Sequence, residues 1–337
     1  MHALPPPGTD AEALLGLARR ACPSDPAGWA VRQGVGALLA DAGTGDGTLA
    51  ESHRHAAVVW EALAVHLERV LAALDRAAIP ALVLKGAAVA LSHYARPAQR
   101  PMSDLDLLVR PAQWRGAASV LAALGFELDD PAEHGAGFAG PAGVRLELHG
   151  ALTTCPGVFP VRFDDLMARS RALPSPFPGR RLGDEDLLLH AALHIAFQHG
   201  FRVRLGQVVD VARLAAGGLG WPVLSSLAER RRAWPCLASV LEVTSRLIGV
   251  TPPPDIGGSW RRHIPKPVLE WVYGCDGPGG LLDGMPLARA RWALADGAVC
   301  RARLLAGTLW PGRPDGRREV SPWKALARGR RLLNHLR

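Results

Sequence analysis

The segment of residues 82–109 constrains the fold more than any other part of the chain. It reads LVLKGAAVALSHYARPAQRPMSDLDLLV. A short apolar run stops at Lys85-Gly86, small residues of helical character follow, and the segment closes with aspartate and leucine in alternation. Alternation predicts a half-buried strand in which residues two apart share a face. The chain therefore passes from strand through helix to strand within this one segment.

Two aspartates lie on one face of the second predicted strand. Asp104 and Asp106 project together, while Leu105 and Leu107 point into a core. Two carboxylates held side by side repel each other unless a cation lies between them, and Mg²⁺ prefers oxygen ligands. The plainer alternative is two solvated aspartates on an exposed strand face. The residues around the pair decide between these two interpretations.

The flanking residues favour a site for metal and phosphate. Gly86 stands at the strand-to-helix turn, where a glycine admits a phosphate to the backbone and the helix dipole favours anions. Lys85 supplies an adjacent cation, and it is one of only three lysines among 39 Lys and Arg residues. A third carboxylate is expected from a neighbouring strand, and the run VRLELHGA offers Glu147 on the same strand face as His149.

Composition indicates a soluble protein. The 337 residues correspond to about two domains by length, and they are 48% hydrophobic and 21% charged. The five cysteines are scattered and form no CxxC pair, so neither a disulfide framework nor a zinc site is indicated. The sequence has no signal pattern and no apolar run long enough for a membrane span. We expect a cytoplasmic protein with no membrane partner.

A long helix is predicted before the core. Apolar residues recur at three- to four-residue spacing across 48–78, which is the period of an amphipathic helix. These residues are Val58, Leu63, Leu67, Leu71 and Leu74.

The periodicity then divides the rest of the chain into a core and a helical part. Short strands are predicted at 81–84, 104–109, 126–128 and 144–149. Helical patterns dominate from about 158, interrupted by a Pro-rich linker at 173–180. We predict an α+β fold with a small mixed sheet as its core. Its parts are an N-terminal helical segment (1–79), the α/β core (80–157) and a larger helical acceptor-binding domain (158–337).

The ordered set of motifs resembles a known family. The run LVLKGAAVALSHY, then an arginine, SDLDLLV, an LGF turn and LELHG, is similar to the uncharacterised nucleotidyltransferase family of the DNA polymerase β-like superfamily. Residues 184–214, with repeated histidines before an Arg- and Leu-rich stretch and an aspartate, continue the likeness. The resemblance covers roughly 80–215 and implies a nucleotidyltransferase core.

The resemblance implies a metal site. Asp104 and Asp106 match the family's metal-binding pair, and Glu147 matches its third carboxylate. These three residues are therefore the expected catalytic and metal-binding residues, and the expected ion is Mg²⁺ or Mn²⁺.

The resemblance also implies a nucleotide site. Gly86 matches the glycine of the triphosphate-binding turn, but Ala87 stands where the superfamily usually has serine. A serine contact to phosphate is therefore missing, and Lys85 or Arg100 is expected to neutralise the phosphate charge. Ser103 completes the expected nucleotide-binding set, and the expected co-substrate is an NTP, ATP in the first instance.

Further polar residues are candidates for acceptor binding or for support of the metal ligands. His190 and His194 are four residues apart on a predicted helix, a spacing that can bind zinc, but no third ligand is signalled nearby. We favour helix packing or an acceptor pocket for them. Arg204 and Asp210 either pair with each other or line the cleft. His149 supports the ligands, accepts a proton, or is a hydrogen-bonded core histidine.

Three functions fit these residues. The first is transfer of an NMP, AMP in the expected case, from NTP to an acceptor hydroxyl or phosphate by a two-metal mechanism. The second keeps the site but transfers the γ-phosphoryl group, which is a kinase reaction on a peptide or small-molecule natural product. The third is a non-catalytic module that binds nucleotide or RNA.

The acceptor stays open among a small molecule, a peptide, a protein and a tRNA. Residues 287–337 carry twelve Arg and Lys residues against three acidic ones. Such a basic region either meets phosphate or an acidic partner, or forms a solvated helix face.

Overall fold

The chain packs as two compact units, each assembled from separate segments. The computed structural model describes residues 11–131, 135–250 and 260–309. The helical unit consists of the described residues within Met1–Val58, His93–Pro101 and Asp184–Asp296. The sheet unit consists of those within Val59–Ser92, Met102–Gly183 and Gly297–Arg337.

The sheet unit is built on a seven-stranded mixed sheet. Its strands are β1 (Ala81–Val83), β2 (Asp104–Val109), β3 (Glu127–Pro131), β4 (Gly135–Ala139), β5 (Arg145–His149), β6 (Arg171–Ala172) and β7 (Arg180–Arg181). Their order is β3-β4-β5-β2-β1-β7-β6. β2 lies between β5, to which it is parallel, and β1, to which it is antiparallel. The predicted mixed α/β core is thereby confirmed.

Helices make up most of the remaining described structure. They are α1 (Ala11–Ala21), α2 (Pro26–Arg32), α3 (Gly36–Asp41), α4 (Gly47–Arg76), α5 (Lys85–His93), α6 (Trp114–Ala123), α7 (Phe163–Arg169), α8 (Asp184–Ala192), α9 (Leu205–Ala216), α10 (Trp221–Arg230), α11 (Trp234–Ile248), α12 (Lys266–Gly274), α13 (Gly277–Asp283), α14 (Leu287–Leu294) and α15 (Gly297–Leu309). Short 3₁₀ turns occur at Pro97–Gln99, Pro111–Gln113, Pro141–Gly143 and Trp260–His263, and a π-helix at Leu193–Gln198. Among the described residues, none of these helices is long and apolar enough to cross a membrane.

Strand β2 is buried on both faces beyond its first residue. Leu105 and Leu107 are fully buried as predicted, but Leu108 on the opposite face is only 2% exposed and Asp106 only 4%. The prediction of a half-buried strand was therefore wrong for all but Asp104. The reason is the central position of β2, where a carboxylate can be buried because neighbouring side chains neutralise it.

The periodic leucines of α4 form one buried face, as the pattern predicts. Leu63, Leu67, Leu71 and Leu74 are each at most 3% exposed. Val58 is 70% exposed, so its inclusion in this face was wrong. It precedes Leu63 by five residues, which places it about 140° away around the helix.

Three of the strands, β4, β6 and β7, are not predicted by the sequence pattern. β4 pairs with β5, whereas β6 and β7 extend the sheet on its other side. The Pro-rich segment predicted as a linker runs from β6 into β7 of this same sheet. The division of the chain at 157/158 stays a prediction.

The helical unit is centred on α11. Every residue from Trp234 to Thr244 is buried, and a helix that is buried on all sides lies in the middle of a bundle. Helices α8, α9 and α10 and the π-helix contact it.

Candidate active site

The expected metal ligands lie on the two adjacent parallel strands at the centre of the sheet. In the register of β2 and β5, Asp106 is directly opposite Glu147. Helix α5 starts at Lys85, close to these carboxylates, because the Leu84 N–H donates to the backbone carbonyl of Asp106 at 2.9 Å. The fold thus brings together a lysine and two carboxylates from three elements.

Four side chains form one hydrogen-bonded cluster, which we call the Lys85 quartet: Lys85, Asp106, Glu147 and His149. The Lys85 Nζ atom lies 2.6 Å from Asp106 Oδ1 and 3.2 Å from Glu147 Oε2. His149 Nε2 lies 2.9 Å and 3.3 Å from the same two oxygens. Asp106 and His149 are buried, whereas the Glu147 side chain is 43% exposed. The quartet is therefore reached from solvent on its Glu147 side.

Charge within the quartet is balanced. Burial opposes the charged form of Lys85, but Asp106 and Glu147 outweigh it and raise the pKa of the ammonium. Burial likewise opposes ionisation of Asp106, but Lys85 and His149 hold its pKa well below the ordinary value. The hydrogen bond with His149 lowers the pKa of Glu147. Both carboxylates and the lysine are thus charged at neutral pH.

His149 is itself affected by these contacts. Its burial lowers the imidazole pKa, but the hydrogen bonds to Asp106 and Glu147 outweigh burial and raise it above 6.5. The histidine therefore contacts both carboxylates directly, and its role among the three alternatives stays a prediction.

Asp104 has a different environment from Asp106. Burial raises the pKa of its carboxyl group, and the negative charges of Asp106 and Glu147 raise it further. The Ser103 hydroxyl donates to it at 3.3 Å. A cation bound beside Asp104 would therefore reduce its repulsion by Asp106 and Glu147.

The backbone at Lys85 is strained. Its φ angle is +44°, in the left-handed region that non-glycine residues rarely adopt. Such a conformation costs about 1–3 kcal/mol and persists only where the surroundings enforce it. Gly86 is the next residue and is buried in the first turn of α5. The strained backbone conformation is therefore at Lys85 and not at Gly86.

The donor set fits a hard divalent cation. Within the part of the chain that the structure describes, Asp106, Glu147 and His149 are the one group of three potential ligands whose donor atoms lie within 4.8 Å of one another. The two carboxylates of this group suit Mg²⁺ or Mn²⁺. Asp104, the third carboxylate predicted as a ligand, is not part of this group. The Lys85 ammonium between the two carboxylates shows that this position accepts a positive charge.

Arg100 is also a predicted nucleotide ligand. It belongs to the helical unit and pairs there with an aspartate of the same unit. Its Nη2 and Nε atoms lie 2.8 Å and 3.1 Å from Asp210 Oδ2, and the Tyr94 hydroxyl donates to Asp210 Oδ1 at 2.8 Å. The suggested pairing of Asp210 with Arg204 was therefore wrong. Arg204 is exposed just before α9, six residues from Asp210, whereas helix neighbours are three or four apart. No sequence pattern indicated a role for Tyr94.

The predicted histidines form a row of ring contacts in the helical unit. The ring centroids of His190 and His194 are 6.3 Å apart, and those of His194 and His199 are 4.4 Å apart. His194 Nδ1 also lies 2.9 Å from Gln198 Oε1. His190 lies in α8, His194 in the π-helix that follows it, and His199 directly after the π-helix. Helix packing or an acceptor pocket, the two roles favoured over a metal site, stay predictions for these histidines.

The sequence matches a protein family over most of its length. Residues 45–249 match the family described as uncharacterised nucleotidyltransferase. Because the match spans more than half of the 337 residues, the chain belongs to this family, and it is a nucleotidyltransferase. The resemblance drawn from the motifs is thereby confirmed.

Two solved structures are similar to parts of the chain. The solution structure of the antibiotic-resistance factor ANT(2'')-Ia has 16% identity and a TM-score of 0.36, covering 49% of this chain and 88% of that one. The crystal structure of ANT(2'')-Ia in complex with adenylyl-2''-tobramycin has 16% identity and a TM-score of 0.38, covering 51% and 97%. A search of curated proteins returned no match. The roles of individual residues therefore rest on the geometry of this chain.

Proposed function

We propose that the protein transfers a nucleoside monophosphate, AMP from ATP, to an acceptor hydroxyl or phosphate. The observation that carries the proposal is the position of Asp106 opposite Glu147 on adjacent central strands, where both already share a cation. Asp104, Asp106 and Glu147 would hold Mg²⁺ or Mn²⁺. When bound, the metal neutralises the triphosphate and makes the acceptor group more acidic.

The chain's own residues orient the reactants. His149 hydrogen-bonds both Asp106 and Glu147 and fixes their orientation. Lys85 and the backbone N–H groups at the start of α5, near Gly86, meet the negative charge of the phosphates. The acceptor oxygen forms a bond to the α-phosphorus while the bond to pyrophosphate breaks, and an acceptor hydroxyl releases its proton to solvent.

The test follows the label from two forms of ATP. The protein is incubated with Mg²⁺ or Mn²⁺, α- or γ-labelled ATP, and separate pools of small molecules, peptides, proteins and tRNA. We expect transfer of the α label to one pool, with release of one pyrophosphate per transfer. Asp106→Asn should reduce the transfer to background.

The matched control replaces a carboxylate elsewhere in the sheet unit. Asp164 is exposed and pairs with Arg110, so Asp164→Asn should keep wild-type transfer. Transfer of the γ label alone would identify a kinase instead. Absence of transfer, combined with ATP binding that needs none of the three carboxylates, would favour a non-catalytic binding module.

A further inference from the structure

The Lys85 ammonium lies where a divalent ion would bind. A metal held by both carboxylates through Asp106 Oδ1 and Glu147 Oε2 would take the position of the Lys85 ammonium. Lys85 Nζ already contacts these two oxygens, at 2.6 Å and 3.2 Å. Two positive charges cannot share both oxygens at such distances without strong repulsion. The lysine and a metal held through these two oxygens would therefore exclude each other.

The lysine is held in this place by its surroundings. Its backbone is strained at φ +44°, and its side chain is only 19% exposed. The neighbouring Leu84 N–H fixes the start of α5 to β2 through the Asp106 carbonyl. A freely mobile surface lysine would show none of these features. The chain thus places a positive charge between its own metal ligands.

We propose that Lys85 is an internal counter-cation that occupies the metal position until a divalent ion displaces it. This inference rests on the proposed function. The ion that binds must break the contacts of Lys85 with Asp106 and Glu147. The released ammonium then becomes available to the triphosphate, which offers it a new anionic partner.

The displacement couples metal binding to NTP binding. A metal ion alone separates Lys85 from its carboxylates and leaves the ammonium without an equivalent partner. A metal ion together with NTP replaces the lost carboxylates by phosphate oxygens. Because coupling between two ligands is reciprocal, each should strengthen the binding of the other. Lys85 would thereby reduce metal binding in the absence of nucleotide.

The first experiment measures Mn²⁺ binding by electron paramagnetic resonance or calorimetry, without an acceptor. Lys85→Met should bind Mn²⁺ alone about tenfold or more tightly than wild type, within the usual range of coupling. The strengthening of Mn²⁺ binding by a non-hydrolysable ATP analogue should shrink in this variant. Lys85→Arg keeps a cation and should stay near wild type. Lys266→Met changes an 87%-exposed side chain of the helical unit and should have no effect.

The second experiment uses the wild-type chain, so its result does not depend on the folding of a variant. A brief acetic anhydride pulse and mass spectrometry report how accessible each lysine is. Lys85 should become more reactive with Mn²⁺ alone and be protected again with Mn²⁺ plus the ATP analogue. Lys266 should react equally in all three conditions.

The outcomes separate this inference from the proposed function. If Lys85→Met binds Mn²⁺ no better than wild type, or if saturating Mn²⁺ leaves Lys85 reactivity unchanged, the counter-cation role is wrong while the metal site stands. If wild type binds neither Mn²⁺ nor Mg²⁺ with nucleotide, the proposed function itself fails.

Discussion

Asp104 and Asp106 stand two residues apart on one strand, yet their electrostatic environments are opposite. Lys85 and His149 hold the pKa of Asp106 well below the ordinary value, despite its burial. Burial and the neighbouring carboxylates raise the pKa of Asp104. Without a metal, Asp106 therefore forms favourable ion pairs with Lys85 and His149 in the folded protein. Asp104 is instead repelled by the carboxylates of Asp106 and Glu147. The two residues should contribute to stability with opposite signs.

We predict that Asp106→Asn destabilises the metal-free protein by about 3–5 kcal/mol, because it leaves buried charges on Lys85 and His149 without their partner. Asp104→Asn should leave stability unchanged or raise it, since it removes repulsion. Urea unfolding in the presence of a chelator measures both. Equal destabilisation by the two substitutions would contradict this electrostatic picture.

The raised pKa of His149 predicts how stability depends on pH. Because the pKa is above 6.5 in the folded chain, the contribution of His149 is fully present below pH 6.5 and is lost as pH rises through the folded-state pKa. The melting temperature, measured in the presence of a chelator, should therefore decrease as pH increases through the folded-state pKa of His149. His149→Asn should be less stable at pH 6 and lack that part of the pH dependence. A variant with the wild-type pH profile would show that another group is responsible.

At the residue scale, the sequence pattern indicated which carboxylates lie on the sheet but not the side chains that pair with them. Asp104, Asp106 and Glu147 could be predicted because strand alternation fixes which side chains share a face. The pairing of Arg100 with Asp210 could not, because it joins positions 110 residues apart. Lys85 was predicted as a phosphate ligand, since no local pattern indicates that its ammonium contacts two carboxylates on strands β2 and β5.

Elements with strong periodicity were predictable, and short or glycine-rich ones were not. The alternation DLDLLV gave the bounds of β2, which is Asp104–Val109. β4 reads GAGFA, with no β-branched residue, and β7 has only two residues. Such strands form because a neighbouring strand offers them hydrogen bonds, and this information lies outside their own sequence.

The buried face of α4 provides a prediction at the element scale. Leu67→Ala should destabilise the protein by about 2–5 kcal/mol, because the leucine is fully buried and its removal leaves a cavity. Val58→Ala on the same helix should change stability by less than about 0.5 kcal/mol, since this side chain is 70% exposed. Chemical denaturation of both variants measures the difference, and comparable losses would place Val58 in a core after all.

At the scale of the whole molecule, each unit depends on segments that are distant in sequence. β1 pairs with β7, and α4 contacts the same region through Trp60 and Phe177, whose ring centroids are 6.2 Å apart. The predicted core 80–157 contains neither β7 nor α4. A contiguous stretch of chain is thus not a complete unit.

We predict that the fragment 80–157 alone does not unfold cooperatively, whereas the fragment 59–183 retains more structure. The longer fragment includes β6, β7 and the part of α4 that contacts Phe126 through His66. Circular dichroism during thermal unfolding compares the two. A sharp transition in 80–157 would establish it as an independent domain and support the division drawn from the sequence.

The interleaving of the two units sets the order in which a growing chain can fold. On the ribosome, α1 emerges early, but its contacts with α11 and α13 require residues of Asp184–Asp296. At about 5–20 residues per second, the earliest helices wait roughly 10–50 s for these partners. All strands of the sheet emerge during that interval. Helices that precede the sheet in the chain are thus among the last of these elements to fold, and in the meantime they are exposed to chaperones and proteases.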